Sequence, residues 1–346
     1  VIWSREQIEG SKRDYIRYVE KQGVSELNRY VDLYSLMKDF IGSDEPNNQV
    51  AMNDGSSMNF YPVKKVSVPV DTNFVRANHT VNADDSVVSA LRFEISKNVL
   101  MKNDMAVLNI IAANRWKRPI YFTSPGSQGM GFDNYLRNDG MAYRLVPVLN
   151  NQNNTVNGPW AYQVMKDKFM FGNAKTQGVY FDEENRRHLI SIRMAYADVA
   201  SNLVSKGKNK EANVLLEKVD NGMSDENMPY GMVSRGNQHD IISVQMADAA
   251  FKAGNLKLAS KIVAKTKKDV EEQIAYYANL GGMSTLELRR GVQEIMESKG
   301  DNLTNRQKNM FSEVRVALGL KDYLDNMERM YQTTPTTENP ANILNK

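Results

Sequence analysis

Asn103-Asp104-Met105-Ala106-Val107-Leu108-Asn109-Ile110-Ile111-Ala112-Ala113-Asn114-Arg115-Trp116-Lys117-Arg118-Pro119-Ile120-Tyr121-Phe122 changes its hydrophobic period once. Up to Asn114 the apolar residues Val107, Leu108, Ile110 and Ile111 recur at helical spacing and are expected to face a sheet, with Asn103 or Asp104 as the cap. Pro119 cannot continue a helix, so the chain must turn between Arg115 and Pro119, and Ile120-Tyr121-Phe122 then reads as a short buried strand. A glycine-rich loop follows, Ser124-Pro125-Gly126-Ser127-Gln128-Gly129-Met130-Gly131. Beyond it a short helix is expected over Phe132 to Asn138, and an extended piece over Tyr143 to Val148. This order is that of half a doubly wound layer, so the N-terminal domain is expected to be α+β or α/β with a mixed sheet.

Upstream, Val24, Leu27, Tyr30, Val31, Tyr34 and Met37 predict a helix, with Ser25 as a possible cap and Gly42 to Pro46 as its stop. Strand-like pieces come next: Gln49 to Asn53, a turn at Asp54-Gly55, Asn59 to Tyr61, the alternating Val66, Val68 and Val70, and Ala90 to Ile95. Downstream of Glu183 the pattern is helical almost to the end. Ala200, Gly207, Ala212 and Leu216 recur as Ala247, Gly254, Ala259 and Val263, each pair 47 residues apart. Small residues let paired helices approach, and a glycine ends the first helix of each pair, as in tetratricopeptide-like hairpins. The spacing exceeds the roughly 34 residues of a standard copy, which assigns Asp220 to Gly236 to an insertion. Further helices are expected over Ser284 to Ser298 and Asn305 to Tyr331. The organisation expected is therefore an α/β domain over 1–178, an all-α tetratricopeptide-like domain over 179–332 and a disordered tail over 333–346.

The chain has 346 residues, 41% hydrophobic and 25% charged, with 44 Lys plus Arg against 41 Asp plus Glu. A net charge of +3 gives no general electrostatic case for a nucleic-acid partner. Mean hydropathy is −0.53, and the apolar runs fall far short of the roughly 20 residues a bilayer crossing requires. Without cysteine there is no disulfide framework, thiol nucleophile or cysteine zinc site, which suits cytoplasm and periplasm alike. The opening at Val1, without an initiator Met, sets the expectation that a further segment precedes it.

Few residues offer chemistry. His79, His188 and His239 lie far apart without companion ligands at metal-binding spacing, so no metal site is expected. The Gly126 to Gly131 loop follows a strand and precedes an expected helix, a context that can cradle phosphate, but its glycine order is not the dinucleotide one and no Lys-Ser/Thr ends it. Arg115-Trp116-Lys117-Arg118 carries more weight. An indole among three cations supplies a stacking face for a sugar or base and donors for anionic groups, unless Trp116 packs into the core and leaves the cations solvated. Ser124, Asp133, Tyr135 and Arg144 come from elements expected near the same loop and could complete a polar cleft. No catalytic residue emerges, because adjacent acids such as Asp84-Asp85 and Glu183-Glu184 make no case for acid/base work without geometry.

Three blocks carry a resemblance: Tyr61-Pro62-Val63-Lys64-Lys65-Val66-Ser67-Val68-Pro69-Val70-Asp71, Leu100-Met101-Lys102-Asn103-Asp104, and Asn114-Arg115-Trp116-Lys117-Arg118-Pro119-Ile120-Tyr121-Phe122-Thr123-Ser124. Gly131 to Leu136 and Gly140 to Pro147 continue it. The chain resembles the C-terminal extracytoplasmic region of bacterial membrane proteins, long labelled as of unknown function, that are similar to protein O-mannosyltransferases. The resemblance implies a multi-pass parent that moves a sugar from a lipid-linked donor to a protein acceptor. This region would stand on the periplasmic side of the inner membrane as an accessory to sugar transfer, without a cofactor or catalytic residue of its own. Its partners would be the membrane domain of the same polypeptide and an acceptor polypeptide. A second reading makes the chain a stand-alone peptide-binding or scaffold module working through the helical hairpins, and a third a soluble sugar- or nucleotide-handling enzyme using the glycine loop.

Overall fold

The computed structural model describes residues 1–21, 29–52, 55–150, 155–297 and 303–333. The chain divides into two compact units, Val1–Asn157 and Gly158–Lys346. The first is α+β and the second all-α, as expected from sequence. The division comes well before the anticipated 178, because the helix Gly158–Asp167 is tied to the helices that follow it. Tyr196 donates its hydroxyl hydrogen to the Met165 carbonyl at 2.8 Å. Lys218 Nζ reaches the carbonyls of Met165, Lys166 and Phe169 at 2.7, 2.7 and 2.9 Å, a cationic cap on orphan acceptors at that helix end.

In the first unit the elements run α1 (Arg5–Glu9), β1 (Tyr15–Tyr18), β2 (Val31–Asp32), α2 (Leu33–Ser35), β3 (Gln49–Ala51), β4 (Ser57–Tyr61), β5 (Lys65–Pro69), α3 (Thr72–Ala77), β6 (Ala90–Glu94), β7 (Val99–Met101), α4 (Lys102–Asn114), β8 (Tyr121–Phe122), β9 (Leu136–Asn138) and β10 (Tyr143–Leu145). They form three small sheets, β3-β4-β1-β7, β2-β5-β6 and β8-β10-β9. In the first, β1 lies parallel to β4 and antiparallel to β7. In the second, β2 lies parallel to β5, and β5 is antiparallel to β6 with Val66 opposite Phe93 and Val68 opposite Leu91. These alternating residues are buried, so one face of β5 and β6 builds core.

The half doubly wound layer is not what forms. The strand after α4, β8, pairs antiparallel with β10, and the expected helix over Phe132 to Asn138 is a single tight turn leading into strand β9. Tyr135 explains the change: its hydroxyl accepts from the Arg92 N–H at 3.1 Å and donates to the Arg92 carbonyl at 3.3 Å, pinning the segment to β6. The helix expected from Val24 to Met37 is also corrected. Residues 22–28, with Val24, Ser25 and Leu27, lie outside the described residues, and Val31 is in a strand opposite Val66. Asp32 then caps α2, accepting from the Ser35 N–H at 2.9 Å, and the coil widens to a π-helical turn over Leu36–Ile41. Within α4, Leu108 and Ile111 are buried but Ile110 is 47% exposed, so the core-facing stripe is Met105, Leu108, Ile111 and Ala112. Asp54 of the expected hairpin turn lies outside the described residues, while β3 and β4 pair as anticipated.

The second unit contains α5 (Gly158–Asp167), α6 (Glu183–Ser205), α7 (Asn209–Gly222), α8 (Gln238–Lys252), α9 (Leu256–Gly281), α10 (Thr285–Met296) and α11 (Asn305–Thr333). The 47-residue recurrence is visible as two hairpins. Gly207 and Gly254 turn from α6 to α7 and from α8 to α9 with φ of +72° and +82°, a left-handed conformation that glycine adopts without steric cost. Ala200, Ala247, Ala212, Ala259, Leu216 and Val263 are all buried. The insertion links α7 to α8 and is held from below by Arg193 on α6. Its guanidinium donates to the carbonyls of Met228 at 2.7 Å and Pro229 at 2.9 Å and lies over the Tyr230 ring at 4.5 Å. Residues 334–346, nearly all of the expected tail, lie outside the described residues, and Thr333 closes α11. Among the described residues no helix is long and apolar enough to cross a membrane.

Candidate functional site

The turn after α4 is built from two consecutive left-handed residues, Arg115 at φ +46° and Trp116 at φ +61°. Each costs about 1–2 kcal/mol for a residue with a Cβ. Three contacts hold the turn. Asn78 Nδ2 donates to the Trp116 carbonyl at 2.8 Å, the indole Nε1 donates to the Pro69 carbonyl at 3.1 Å, and Asn114 binds both the N–H and the carbonyl of Arg118. Trp116 is only 8% exposed and belongs to the main core, so most of the indole is packing. The guanidinium of Arg115 instead lies outside, 5.1 Å over the Tyr34 ring.

This strained turn closes one side of a cavity of about 430 Å³, lined by Asp32, Tyr34, Val68, Pro69, Val70, Asp71, Ala112, Arg115 and Trp116. The volume lies within the ~300–1,000 Å³ of small-molecule sites, and the lining has their usual make-up of apolar walls with a few polar groups. A second space lined by both Trp116 and Arg118 holds only about 10 Å³. Both carboxylates cap helices. Asp32 accepts from Ser35, and Asp71 accepts from the N–H groups of Asn73 at 3.1 Å and Phe74 at 3.0 Å. Helix caps and packing thus fix the positions of two acids, a guanidinium and two aromatic rings around one volume.

The remaining residues singled out from sequence go elsewhere. Lys117 and Arg118 are exposed, and Arg118 lines only the small space shared with Trp116. Ser124 is exposed outside the cavity. Asp133 is consumed by the glycine loop, accepting from Ser127 N–H at 2.7 Å and Ser127 Oγ at 2.5 Å. Desolvation works against its ionisation, but these two bonds outweigh it and hold the carboxyl below its ordinary range. The loop's own amides are used in the same way: Gly131 N–H donates to Ser127 Oγ at 2.9 Å and Met130 N–H to the Ser127 carbonyl at 3.1 Å. A Cβ on Gly131 would stand 2.1 Å from the Glu94 carbonyl oxygen, at φ +89°. Gly131 therefore serves close packing, and the amides of Ser127, Met130 and Gly131 are already paired inside the loop. Tyr135 is the buried pin on β6 described above.

Arg144 lies apart from the cavity, over the Tyr121 ring at 5.9 Å, and its Nε is buried without a partner among the described residues. It borders a buried ionic cluster that sequence reading missed. Arg137, 2% exposed, donates to Asp85 Oδ2 at 2.7 Å and stands 4.0 Å from Asp139. Burial raises the Asp139 pKa, against the pull of Arg137. Burial and Asp139 also push Tyr121 up. Asp32, Tyr34 and Asp71 were missed as well. Their local signal is legible, since each acid immediately precedes a helix, but their convergence on Arg115 is tertiary. The histidines have separate settings: His79 ends α3 in a left-handed turn, His188 is exposed beside Glu184, and His239 is buried against Pro229 and Arg193. No group of three or more metal-ligating side chains converges among the described residues.

Residues 1–161 match the family model described as TMEM260-associated domain 2, a span that takes in the whole first unit and with it the cavity. No curated protein and no solved structure matches the chain.

Proposed function

We propose that a chain whose first 161 residues match a TMEM260-associated domain serves a membrane glycosyltransferase-like protein as its accessory, substrate-holding region on the periplasmic side. The cavity between Tyr34, Trp116, Asp32, Asp71 and Arg115 holds one sugar of the acceptor or of the lipid-linked donor. The observation that carries this reading is the pairing of aromatic edges with carboxylates and a guanidinium around about 430 Å³. The ring surface left at the cavity wall packs the C–H side of a pyranose, while acids and a guanidinium bond its hydroxyls, which are both donors and acceptors. The bonds of Asp32 and Asp71 to backbone N–H groups favour positioning over proton transfer, so the sugar-transfer chemistry belongs to the membrane part of the parent.

The test is glycoprotein profiling of cells carrying the full-length gene with Tyr34→Ala or Arg115→Ala, beside a deletion. Membrane abundance and the melting temperature of the purified chain are followed in parallel. Loss of glycosylation at normal folding and abundance supports sugar holding. Unchanged glycosylation in both variants sinks it. The scaffold reading keeps one observation in its favour, a second open cavity on the helical unit, which is taken up next.

A further inference from the structure

A second cavity, about 350 Å³, lies on the helical unit and is lined by Val233, Asp269, Glu272, Gln273, Tyr276 and Tyr277. All but Val233 come from α9, and positions 269, 272, 273 and 276 fall on one helical face by their spacing of three and four. The cavity exists because the inserted connection is drawn down onto this helix. Gly231 packs so closely that a Cβ there would stand 2.6 Å from both the Lys265 carbonyl oxygen and the Asp269 Cβ. Two residues on, Val233 stands 69% exposed as the opposite wall. Gln273 fixes the acidic floor, donating to Asp269 at 2.6 Å and to the fully buried Asp240 at 3.0 Å. Tyr276 is 61% exposed and meets Tyr277 edge-on at 5.3 Å, so it stands braced rather than free to collapse. Glu272 completes the rim, and its ion-pair partner Lys268 is 3.8 Å away with both side chains exposed, a pair of little strength.

An exposed ring, a braced second ring and two carboxylates around one concavity are complementary to a planar cation. Guanidinium stacks on tyrosine and binds carboxylate through a fork of donors, which a compact ammonium cannot do as well. A bare metal ion is not matched, since no cluster of three ligating side chains forms among the described residues. We propose that this cavity of the helical unit is a recognition site for an arginine side chain presented by a partner polypeptide. The proposal stands independently of sugar holding by the first unit.

The experiment titrates the 346-residue chain with a blocked Gly-Arg-Gly peptide and with its citrulline counterpart, which keeps the shape and removes the charge. Backbone amide shifts near Gln273 and Tyr276 report binding. The arginine peptide is expected to bind with a dissociation constant on the order of 1 mM, at least about tenfold more tightly than the citrulline peptide, and to weaken with added salt. Tyr276→Ala and Glu272→Gln, both surface changes, should each weaken it about three- to tenfold, while Tyr180→Ala, an exposed ring elsewhere in the same unit, should leave it unchanged. Equal affinity for citrulline, no effect of Tyr276→Ala, or stronger displacement of the same resonances by methyl mannoside overturns the assignment. None of these results bears on glycosylation in Tyr34 or Arg115 variants, so the two readings fail separately.

Discussion

Replacing Trp116 by alanine separates packing from binding in the Arg115 to Arg118 segment. The indole is 8% exposed within the main core of the first unit, and truncation of such a ring costs about 3–5 kcal/mol. For a unit of this size that corresponds to a fall in melting temperature of roughly 6–20 °C. Trp116→Phe keeps most of the ring but deletes the Nε1 bond to the Pro69 carbonyl, which puts its cost at about 1–2 kcal/mol. Arg115→Ala should stay within about 1 kcal/mol, since the guanidinium is exposed and loses only its position over Tyr34. Arg115→Gly should stabilise by up to about 1 kcal/mol, because the residue sits at φ +46° where glycine carries no Cβ penalty. The assay is thermal and urea unfolding of the whole chain, followed by near-ultraviolet dichroism. A Trp116→Ala cost below about 1 kcal/mol would refute the reasoning, as would destabilisation by Arg115→Gly.

Four further substitutions probe other links. His239 is held down to about 4 by burial and by Arg193. The unfolded chain, with a His pKa near 6.5, therefore binds a proton that the folded one refuses, and stability should fall as pH drops from about 6.5 to 4. Asp240 has the opposite sign: burial and Asp269 raise it to about 7, so its folded form keeps a proton and stability falls as pH climbs from about 4 to 7. The two slopes oppose each other in the native chain. Asp240→Asn should expose the acid-side loss and His239→Gln the rise towards acid, both read as urea midpoints against pH, and flat profiles in both variants would contradict the burial argument. Gly131→Ala, which forces a Cβ against the Glu94 carbonyl, should cost about 2–4 kcal/mol in urea unfolding. Lys218→Met should leave the end of α5 without its three-carbonyl cap, raising amide exchange there at least several-fold while the α8 amides stay protected.

The α+β to all-α order was legible because it rests on period. Ala90 to Glu94 alternates, α4 repeats every three to four residues, and the Gly207 and Gly254 turns recur at a fixed spacing. What misled was partner choice. The helix expected over Phe132 to Asn138 does not form, because its two Asn and one Asp are poor helix formers and Tyr135 finds the Arg92 backbone instead. Val31 fits a helical stripe, but Val66 offers it a parallel neighbour. The candidate site divides in the same way. Trp116 and Arg115 were readable as an aromatic among cations, while the acids facing them, Asp32 and Asp71, are separated from it in sequence and look locally like ordinary helix caps. Asp133 and Tyr135 were drawn in by proximity in sequence, although their hydrogen bonds are spent inside the loop and on β6.

Buried arginines explain how so irregular a first unit, and so long an insertion in the second, remain ordered. Arg13 donates to the Ile41 carbonyl at the end of the π-helical turn and to Asp44. Arg137 reaches from β9 to Asp85, and Arg193 reaches from α6 to the carbonyls of the α7 to α8 connection. Each guanidinium stands near a regular element and satisfies acceptors of a segment with no ladder of its own. A rigid planar fork of donors suits that task because it fixes the direction of each bond as well as the charge. The consequence for function is positional. The connection secured by Arg193 is the one that carries Gly231 and Val233 onto α9, so the wall of the arginine-accepting cavity is fixed by a residue that does not line it.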